Sequence, residues 1–176
     1  MSHLLEAVSE KDHRTGNLQA KVTVVEYGDY ECPHCGAAHP VVQALLKRYG
    51  DRICFAFRNF PLTEVHPHAA HAAEAAEFAG RHGKFWEMHD TIFEHQSHLG
   101  DAALASYAKH VGLRDSELLE SLAAGDDRAR VSHDFSTGVR SGVNGTPTFF
   151  INGARHDEAP TFEDLAEAIE HALGRD

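Results

Sequence analysis

The pattern of apolar and polar positions divides the chain into three parts. In the first part, two short apolar runs at residues 22–27 and 53–57 predict buried strands, and a helical pattern that ends before Gly50 lies between them. These elements form a β-α-β unit. In the middle part the pattern is helical almost throughout, in five pieces: residues 67–83, 84–95, 101–110, 115–124 and 126–142.

The last part of the chain returns to strand. Residues 148–151 predict a buried strand, Asn152 and Gly153 a tight turn, and residues 155–157 a short partner strand. A final helix is expected over residues 161–173, with Thr161 as its N-cap. We therefore expect an α/β fold in four segments: a polar N-terminal segment, the β-α-β unit, an all-helical insertion and a β-β-α unit, at residues 1–20, 21–63, 64–142 and 143–176.

Composition and charge exclude several kinds of partner. The chain has 176 residues, of which 42% are hydrophobic, and this suits a globular domain with a real core. Its formal net charge is -11 and it has no Lys/Arg-rich block, so neither nucleic acid nor an anionic lipid surface is expected as a partner. No apolar run approaches the ~20 residues that a membrane span needs. Because the first 20 residues do not look like a secretory signal, we expect a cytoplasmic protein, or a periplasmic or otherwise extracytoplasmic one if a leader has been removed.

The clearest chemical signal is a pair of cysteines, Cys32 and Cys35, which directly follows the first predicted strand and opens the first predicted helix. The backbone N–H groups and the dipole at a helix N-terminus stabilise a thiolate, which is the reactive form of cysteine. Pro33 fits the first turn because its missing N–H has no helical partner there, and a protonated His34 adds positive charge near the sulfurs. We predict a redox-active dithiol in which Cys32 is the exposed nucleophile and Cys35 the resolving thiol.

Two other roles for the cysteine pair are less favoured. Half of a zinc site would need a second pair of ligands at matching spacing, whereas the only other cysteine, Cys54, stands alone in an apolar stretch and is expected to be a buried, inert thiol. A purely structural disulfide would close a very short loop and contribute little through chain entropy. The rival class of function is a copper or zinc carrier that uses Cys32, Cys35 and His34.

Histidine is abundant, at 15 residues, and His66, His68 and His71 form a cluster in the sequence. Neither a metalloprotease-type motif nor a carboxylate-paired facial geometry accompanies this cluster. We therefore expect solvated or capping histidines there, and neither a metal site nor a cofactor.

The chain resembles the DsbA-like thiol-disulfide oxidoreductases. The resemblance rests on the Cys-Pro-His-Cys motif, on the Thr146-Pro147 pair before the apolar strand at 148–151, and on residues 60–94, which include FPL, HPHA, AAEAAE and GKFWEMHD. It covers residues 22–173, nearly the whole chain. It implies a thioredoxin-like fold with an inserted helical subdomain, and the activity of a bacterial protein disulfide oxidoreductase that acts as an oxidant.

The resemblance also implies roles for residues outside the motif. Thr146-Pro147 is expected to be a cis peptide that faces the two cysteines and binds substrate. Glu26 matches an acidic residue that the family carries beneath the active site; burial would raise its pKa and let it relay a proton to Cys35, the alternative being a glutamate in solvent at a strand edge. A threonine before the proline also occurs in disulfide isomerases, so isomerase and reductase activities stay open. The implied partners are protein thiols and disulfides and an unidentified redox partner that recycles the pair.

Overall fold

The structure is a computed structural model that describes residues 2–174, so the first residue and the last two residues of the predicted terminal segments lie outside it. Within this range the elements are β1 (His13–Gly16), β2 (Val22–Gly28), α1 (Pro33–Tyr49), β3 (Ile53–Asn59), α2 (Ala69–Arg81), α3 (Phe85–Glu94), α4 (Asp101–His110), α5 (Asp115–Ala124), α6 (Arg128–Arg140), β4 (Thr148–Ile151), β5 (Ala154–His156) and α7 (Phe162–Leu173). No helix in the described range has the length and apolar character needed to cross a bilayer.

The chain forms two compact units. The first, which we call the sheet unit, comprises residues 2–28, 37–58 and 136–174. The strands form a five-stranded sheet in the order β1-β3-β2-β4-β5, and β4 pairs antiparallel with both β2 and β5. The apolar runs predicted as strands bury large aromatic side chains, and α7 packs against β2 and β4. Fully buried aromatic residues on the strands of this unit are Tyr27, Phe55, Phe57, Phe149 and Phe150.

The second unit, which we call the helical unit, comprises residues 29–36 and 59–135. It therefore includes the short segment that carries the cysteine pair. Here α2 packs against α3 and α5, and α4 packs against α5. The alanines of α2 are small enough to let neighbouring helices approach closely, and long apolar side chains such as Met88, Ile92, Leu104 and Leu118 fill the core. These two units do not test the four-segment division expected from the sequence, which stays a prediction.

Most of the predicted elements are confirmed. The bounds of α4, α5 and β4 agree with the prediction, and the other predicted helices and strands differ by no more than two residues at either end. Thr161 is the N-cap of α7, since its side chain accepts a hydrogen bond from the backbone N–H of Asp164 at 3.2 Å. The segment predicted only as polar contains β1, which pairs antiparallel with β3 and sets His13 opposite Phe57.

Candidate redox site

Cys32 and Cys35 lie at the start of α1, as predicted, and the structure shows both as thiols. The carbonyl oxygen of Cys32 accepts a 3.0 Å hydrogen bond from the N–H of Gly36, which makes Cys32 the N-cap residue of the helix. The first turn of α1 contains no acidic residue. Pro33 and His34 are exposed at this end of the helix. The cysteine pair therefore lies at the positive end of the helix dipole with no first-turn carboxylate to oppose a thiolate.

The burial of Cys32 differs from the prediction. Cys35 is completely buried at 0% exposure, and Cys32 is only 4% exposed. Cys32 is thus the more accessible of the two, but the prediction that it is an exposed residue was wrong. Two hydrogen bonds hold its main chain: the N–H donates to the carbonyl oxygen of Asp29 at 3.1 Å, and the carbonyl accepts from the side-chain amide of Gln96 at 2.7 Å. These contacts cover its backbone.

The buried side chain of Asp29 organises the turn before the cysteines. Its Oδ1 accepts a hydrogen bond from the N–H of Glu31 at 2.8 Å. Its Oδ2 accepts one from the N–H of Leu62 at 2.9 Å and lies 2.8 Å from Nδ1 of His66. The backbone N–H of Asp29 donates to Sγ of Cys35 at 3.4 Å. A single residue therefore joins the cysteine turn to the segment that follows β3.

His66 differs from the expectation of a solvated or capping histidine. Its side chain is 19% exposed and is paired with the fully buried carboxylate of Asp29. Burial lowers the pKa of His66, but the hydrogen bond and charge of Asp29, together with the charges of Cys32 and Glu31, outweigh it and raise the pKa above its usual value. The charge of His66 is therefore coupled to the charge of Cys32.

The other two histidines of the cluster lie at exposed or partly exposed positions. His68 is the N-cap residue of α2, but its side chain makes no capping hydrogen bond; its backbone N–H donates instead to the carboxylate of Glu31 at 2.7 Å. His71 lies 2.7 Å from the carboxylate of Asp101 in an exposed pair. His68 is therefore a solvated histidine and not a capping one, which agrees with the first of the two expected roles.

Gln96, in the turn after α3, is a site residue that the sequence did not predict. Its side-chain amide donates to the carbonyl oxygens of Tyr30 and Cys32, at 2.9 Å and 2.7 Å. The amide also lies over Gly36, where an added Cβ would overlap it. Because Gln96 is 64 positions from Cys32, no local motif could have linked the two residues.

Three further predicted site residues belong to the sheet unit. Glu26 lies on β2, opposite Phe149 of β4, and is 2% exposed, so its burial is confirmed and the alternative of a glutamate in solvent is excluded. The peptide bond between Thr146 and Pro147, directly before β4, is cis as expected. The roles of these residues toward the cysteines stay predictions.

Cys54 lies on β3 and is 2% exposed. Burial raises the pKa of its thiol, a charge on Asp12 adds to the rise, and Arg14 opposes it. A buried thiol with a raised pKa is a poor nucleophile, which agrees with the prediction of an inert cysteine.

Comparison with known proteins gives the family. A protein-family model described as Thioredoxin matches residues 8–171. Among curated proteins, the chain is 46% identical over 164 residues to the Na(+)/H(+) antiporter NhaA 1 of Salinispora arenicola (strain CNS-205), and the alignment covers 93% of this chain and 25% of that protein. The chain therefore spans about a quarter of the length of the curated relatives that it matches.

Solved structures agree with this match over nearly the whole chain. Oxidised BdbD from Bacillus subtilis has a TM-score of 0.87 at 25% identity, covering 98% of this chain and 99% of BdbD. A thioredoxin-like oxidoreductase from Silicibacter pomeroyi DSS-3 has a TM-score of 0.84 at 26% identity, covering 96% of this chain and 95% of that one. The structural neighbours are DsbA-like thiol-disulfide oxidoreductases. Because the family model matches nearly the whole chain, the chain belongs to the thioredoxin family.

Proposed function

We propose that this protein exchanges disulfides with protein substrates through Cys32 and Cys35, and that it acts as an oxidant. The observation that carries the proposal is the position of the two sulfurs: one cysteine caps α1 and the other lies one turn inside it. A thiolate is stabilised at this end of a helix, and a thiolate is what disulfide exchange requires as nucleophile and leaving group.

Oxidation of a substrate takes two exchange steps. A substrate thiolate first attacks Sγ of Cys32 in the Cys32–Cys35 disulfide; the bond between the two cysteines breaks, and Cys35 leaves as a thiolate. A second substrate thiolate then attacks the substrate sulfur of the mixed disulfide, and Cys32 leaves as a thiolate. The substrate loses two electrons in forming its disulfide, and the enzyme gains them as a dithiol once its thiolates are protonated.

The groups around the sulfurs support the oxidising direction. The N–H of Asp29 donates to Sγ of Cys35, the leaving group of the first step. The dipole of α1 stabilises the Cys32 thiolate, and His34 adds charge at the same helix end when it is protonated. Each ~1.4 kcal/mol that favours the reduced enzyme makes its disulfide ~30 mV more oxidising.

We assign supporting roles to three residues of the sheet unit. Glu26 relays a proton to and from Cys35, a role supported by the burial of its carboxylate on β2 and by the family resemblance. Thr146 and Pro147 bind an extended segment of the substrate, a role supported by the resemblance of this pair to the family motif.

Isomerase and reductase activities use the same site in the opposite direction, with Cys35 attacking the mixed disulfide and releasing a reduced substrate. The reduction potential of the Cys32–Cys35 pair, measured by equilibration with glutathione, separates these directions. For an oxidant we expect a potential well above the roughly -270 mV of thioredoxin, together with stoichiometric oxidation of a reduced dithiol peptide. A potential at or below the thioredoxin value would overturn the oxidant assignment and favour a reductase.

The metal carrier that rivals this function makes a different prediction. A carrier that used Cys32, Cys35 and His34 would retain zinc or copper in a one-to-one ratio after purification and would not turn over a disulfide substrate. Metal analysis and the peptide oxidation assay on one preparation decide between the two.

The antiporter relatives supply a candidate partner. In the Salinispora arenicola protein, the segment similar to this chain makes up 25% of the length. We propose that a Na(+)/H(+) antiporter is a partner or substrate of this redox site, in addition to other proteins that carry reactive thiols. The test is sodium-driven proton exchange in vesicles that contain the antiporter, measured with the dithiol and the disulfide forms of the protein. Identical exchange with both forms would remove the antiporter from the list of partners.

A further inference from the structure

The pair formed by His66 and Asp29 is bonded to the backbone of the cysteine turn. The carboxylate of Asp29 is fully buried and lies 2.8 Å from Nδ1 of His66. The main chain of Asp29 bonds both cysteines, since its carbonyl accepts from the N–H of Cys32 at 3.1 Å and its N–H donates to Sγ of Cys35 at 3.4 Å. The imidazole is thus fixed relative to the sulfurs through one residue.

Two acidic residues lie near Cys32 in the sequence, and both act on His66. Asp29 lies three residues before Cys32 in the sequence, and Glu31 lies directly before it. Both carboxylates act on His66, as does Cys32. A negative charge near a cysteine opposes formation of the thiolate, so the carboxylates would weaken the proposed chemistry unless a cation offset them.

We propose that the protonation state of His66 controls the stability of the Cys32 thiolate. Protonated His66 offsets the negative charges of Asp29 and Glu31 and stabilises the thiolate. Deprotonated His66 no longer stabilises it. This inference rests on the proposed function, because the thiolate matters only if Cys32 exchanges disulfides. It goes beyond that function by making the oxidising strength of the site depend on a histidine outside the Cys-Pro-His-Cys motif.

The electrostatic coupling is reciprocal, and its sign follows from the charges. The negative charge of Cys32 raises the pKa of His66, so the positive charge of His66 must lower the pKa of Cys32 by the same free energy. Because the pKa of His66 is raised, the histidine loses its proton in a pH range above that of an ordinary histidine. The site should therefore lose oxidising strength, relative to a protein without this cation, as the pH rises through that range.

The test compares His66→Asn with His71→Asn. The amide of the asparagine can take the place of Nδ1 and keep the hydrogen bond to Asp29, so the first variant removes the charge and retains the contact. His71 makes the same kind of carboxylate pair, 2.7 Å from Asp101, at an exposed position, and is the matched control. Thiolate absorbance against pH is measured for the dithiol form of each protein.

For His66→Asn we expect the thiolate midpoint to rise, with roughly a three- to tenfold lower thiolate fraction below the midpoint. The potential difference from wild type should be largest in mild acid and should vanish in alkali. His71→Asn should titrate like wild type. A wild-type midpoint in His66→Asn, or a potential difference that does not depend on pH, would overturn the proposal.

A second measurement keeps the proposal testable if His66→Asn folds poorly. In Cys32→Ser the thiolate is absent, so the pKa of His66, read from its imidazole NMR resonances, should fall below that in the dithiol form of wild type. An unchanged His66 titration would overturn the coupling. Both titrations can be measured in a protein that shows no disulfide exchange, so failure of the proposed function and failure of this inference give different results.

Discussion

The side-chain amide of Gln96 donates a hydrogen bond of 2.7 Å to the carbonyl oxygen of Cys32. The same amide nitrogen donates to the carbonyl oxygen of Tyr30 at 2.9 Å. One side chain from the turn after α3 therefore fixes the backbone on both sides of Glu31 and covers the first turn of α1. The absence of a side chain at Gly36 leaves the space that this amide occupies.

Gln96→Ala should therefore loosen the cysteine turn. It removes two hydrogen bonds, and we expect the free energy of unfolding in urea to fall by about 1–3 kcal/mol. Because the cover over the backbone of Cys32 is lost, alkylation of Cys32 by iodoacetamide should also become faster. Ser97→Ala, at an exposed neighbouring position, is the control and should change neither quantity. Wild-type stability and alkylation in Gln96→Ala would show that the amide contributes nothing to the site.

A buried ion pair between Arg58 and Asp12 stabilises the sheet unit. Arg58 donates to both carboxylate oxygens of Asp12, at 2.8 Å and 3.0 Å, and the two side chains are 4% and 7% exposed. Arg58 also donates to the carbonyl oxygen of Glu6 at 3.0 Å. The ion pair thus holds the N-terminal segment against β3.

Arg58→Ala leaves the Asp12 carboxylate buried without its guanidinium partner, and we expect it to cost about 3–5 kcal/mol of stability. The pair of Arg52 with Asp51 is exposed, so Arg52→Ala should cost no more than about 1 kcal/mol. Denaturant unfolding of the two variants measures both values. Equal effects would show that burial does not set the strength of the Arg58 pair.

The elements that the sequence predicted well are those with a strong local pattern. The helices α4 and α5 lie between glycines, and β4 is a continuous apolar run, so their bounds follow from a few neighbouring residues. β1 gave no such signal: His13–Gly16 has no apolar alternation and is a strand because it pairs with β3. A strand that depends on its partner for its conformation cannot be recognised from its own residues.

The same distinction applies to the candidate site. Cys32 and Cys35 were found because the motif, the preceding strand and the helix are adjacent in sequence. The partners that surround them were missed because they come from distant segments: His66 is 37 positions from Asp29, and Gln96 is 64 positions from Cys32. Only the packing of the helical unit brings these groups together.

The ionisation of Glu74 should make the free energy of unfolding depend on pH. It lies on α2 and is 4% exposed. Burial raises the pKa of Glu74; His71 and Arg128 oppose the rise, and Asp127 and Asp101 add to it. The folded protein therefore binds this proton more tightly than the unfolded chain, whose glutamates titrate near ~4.3. As the pH rises from there through the raised pKa, ionisation of Glu74 removes stability.

In Glu74→Gln this loss cannot occur, so the stability of the variant relative to wild type should increase with pH over that range. Urea unfolding at several pH values between about 4 and 8 measures the difference. Glu117→Gln, at a position with 44% side-chain exposure, is the exposed control. A constant difference between Glu74→Gln and wild type would mean that Glu74 titrates in the folded protein as it does in the unfolded chain.

His34 tests which groups set the acidity of the nucleophile. In wild type we expect the Cys32 thiolate to titrate well below the free-cysteine value of about 8.5. His34→Ser removes an imidazole that adds positive charge to the first turn when it is protonated, so the midpoint should rise and the potential should become more negative, by about 30 mV for each tenfold change in the equilibrium. Thiolate absorbance and glutathione equilibration measure the two effects. An unchanged potential would leave the helix dipole and His66 as the groups that set it.

The assignment of nucleophile and resolving thiol is tested by trapping. In Cys35→Ser the buried thiol that would resolve a mixed disulfide is gone, while Cys32, the more accessible sulfur at the helix end, can still attack. Mixed disulfides with substrate proteins should therefore accumulate on Cys35→Ser and appear as thiol-sensitive bands on non-reducing gels.

Cys32→Ser should trap none, because Cys35 is completely buried and Cys54 is a buried thiol whose pKa is raised by burial. Cys54→Ser, which leaves the redox pair intact, is the matched control and should exchange disulfides like wild type. If Cys32→Ser retained full exchange activity, the reaction would have to begin at Cys35 or Cys54, which are both less exposed than Cys32. Both the order of the two steps and the assignment of Cys32 as nucleophile would then be wrong.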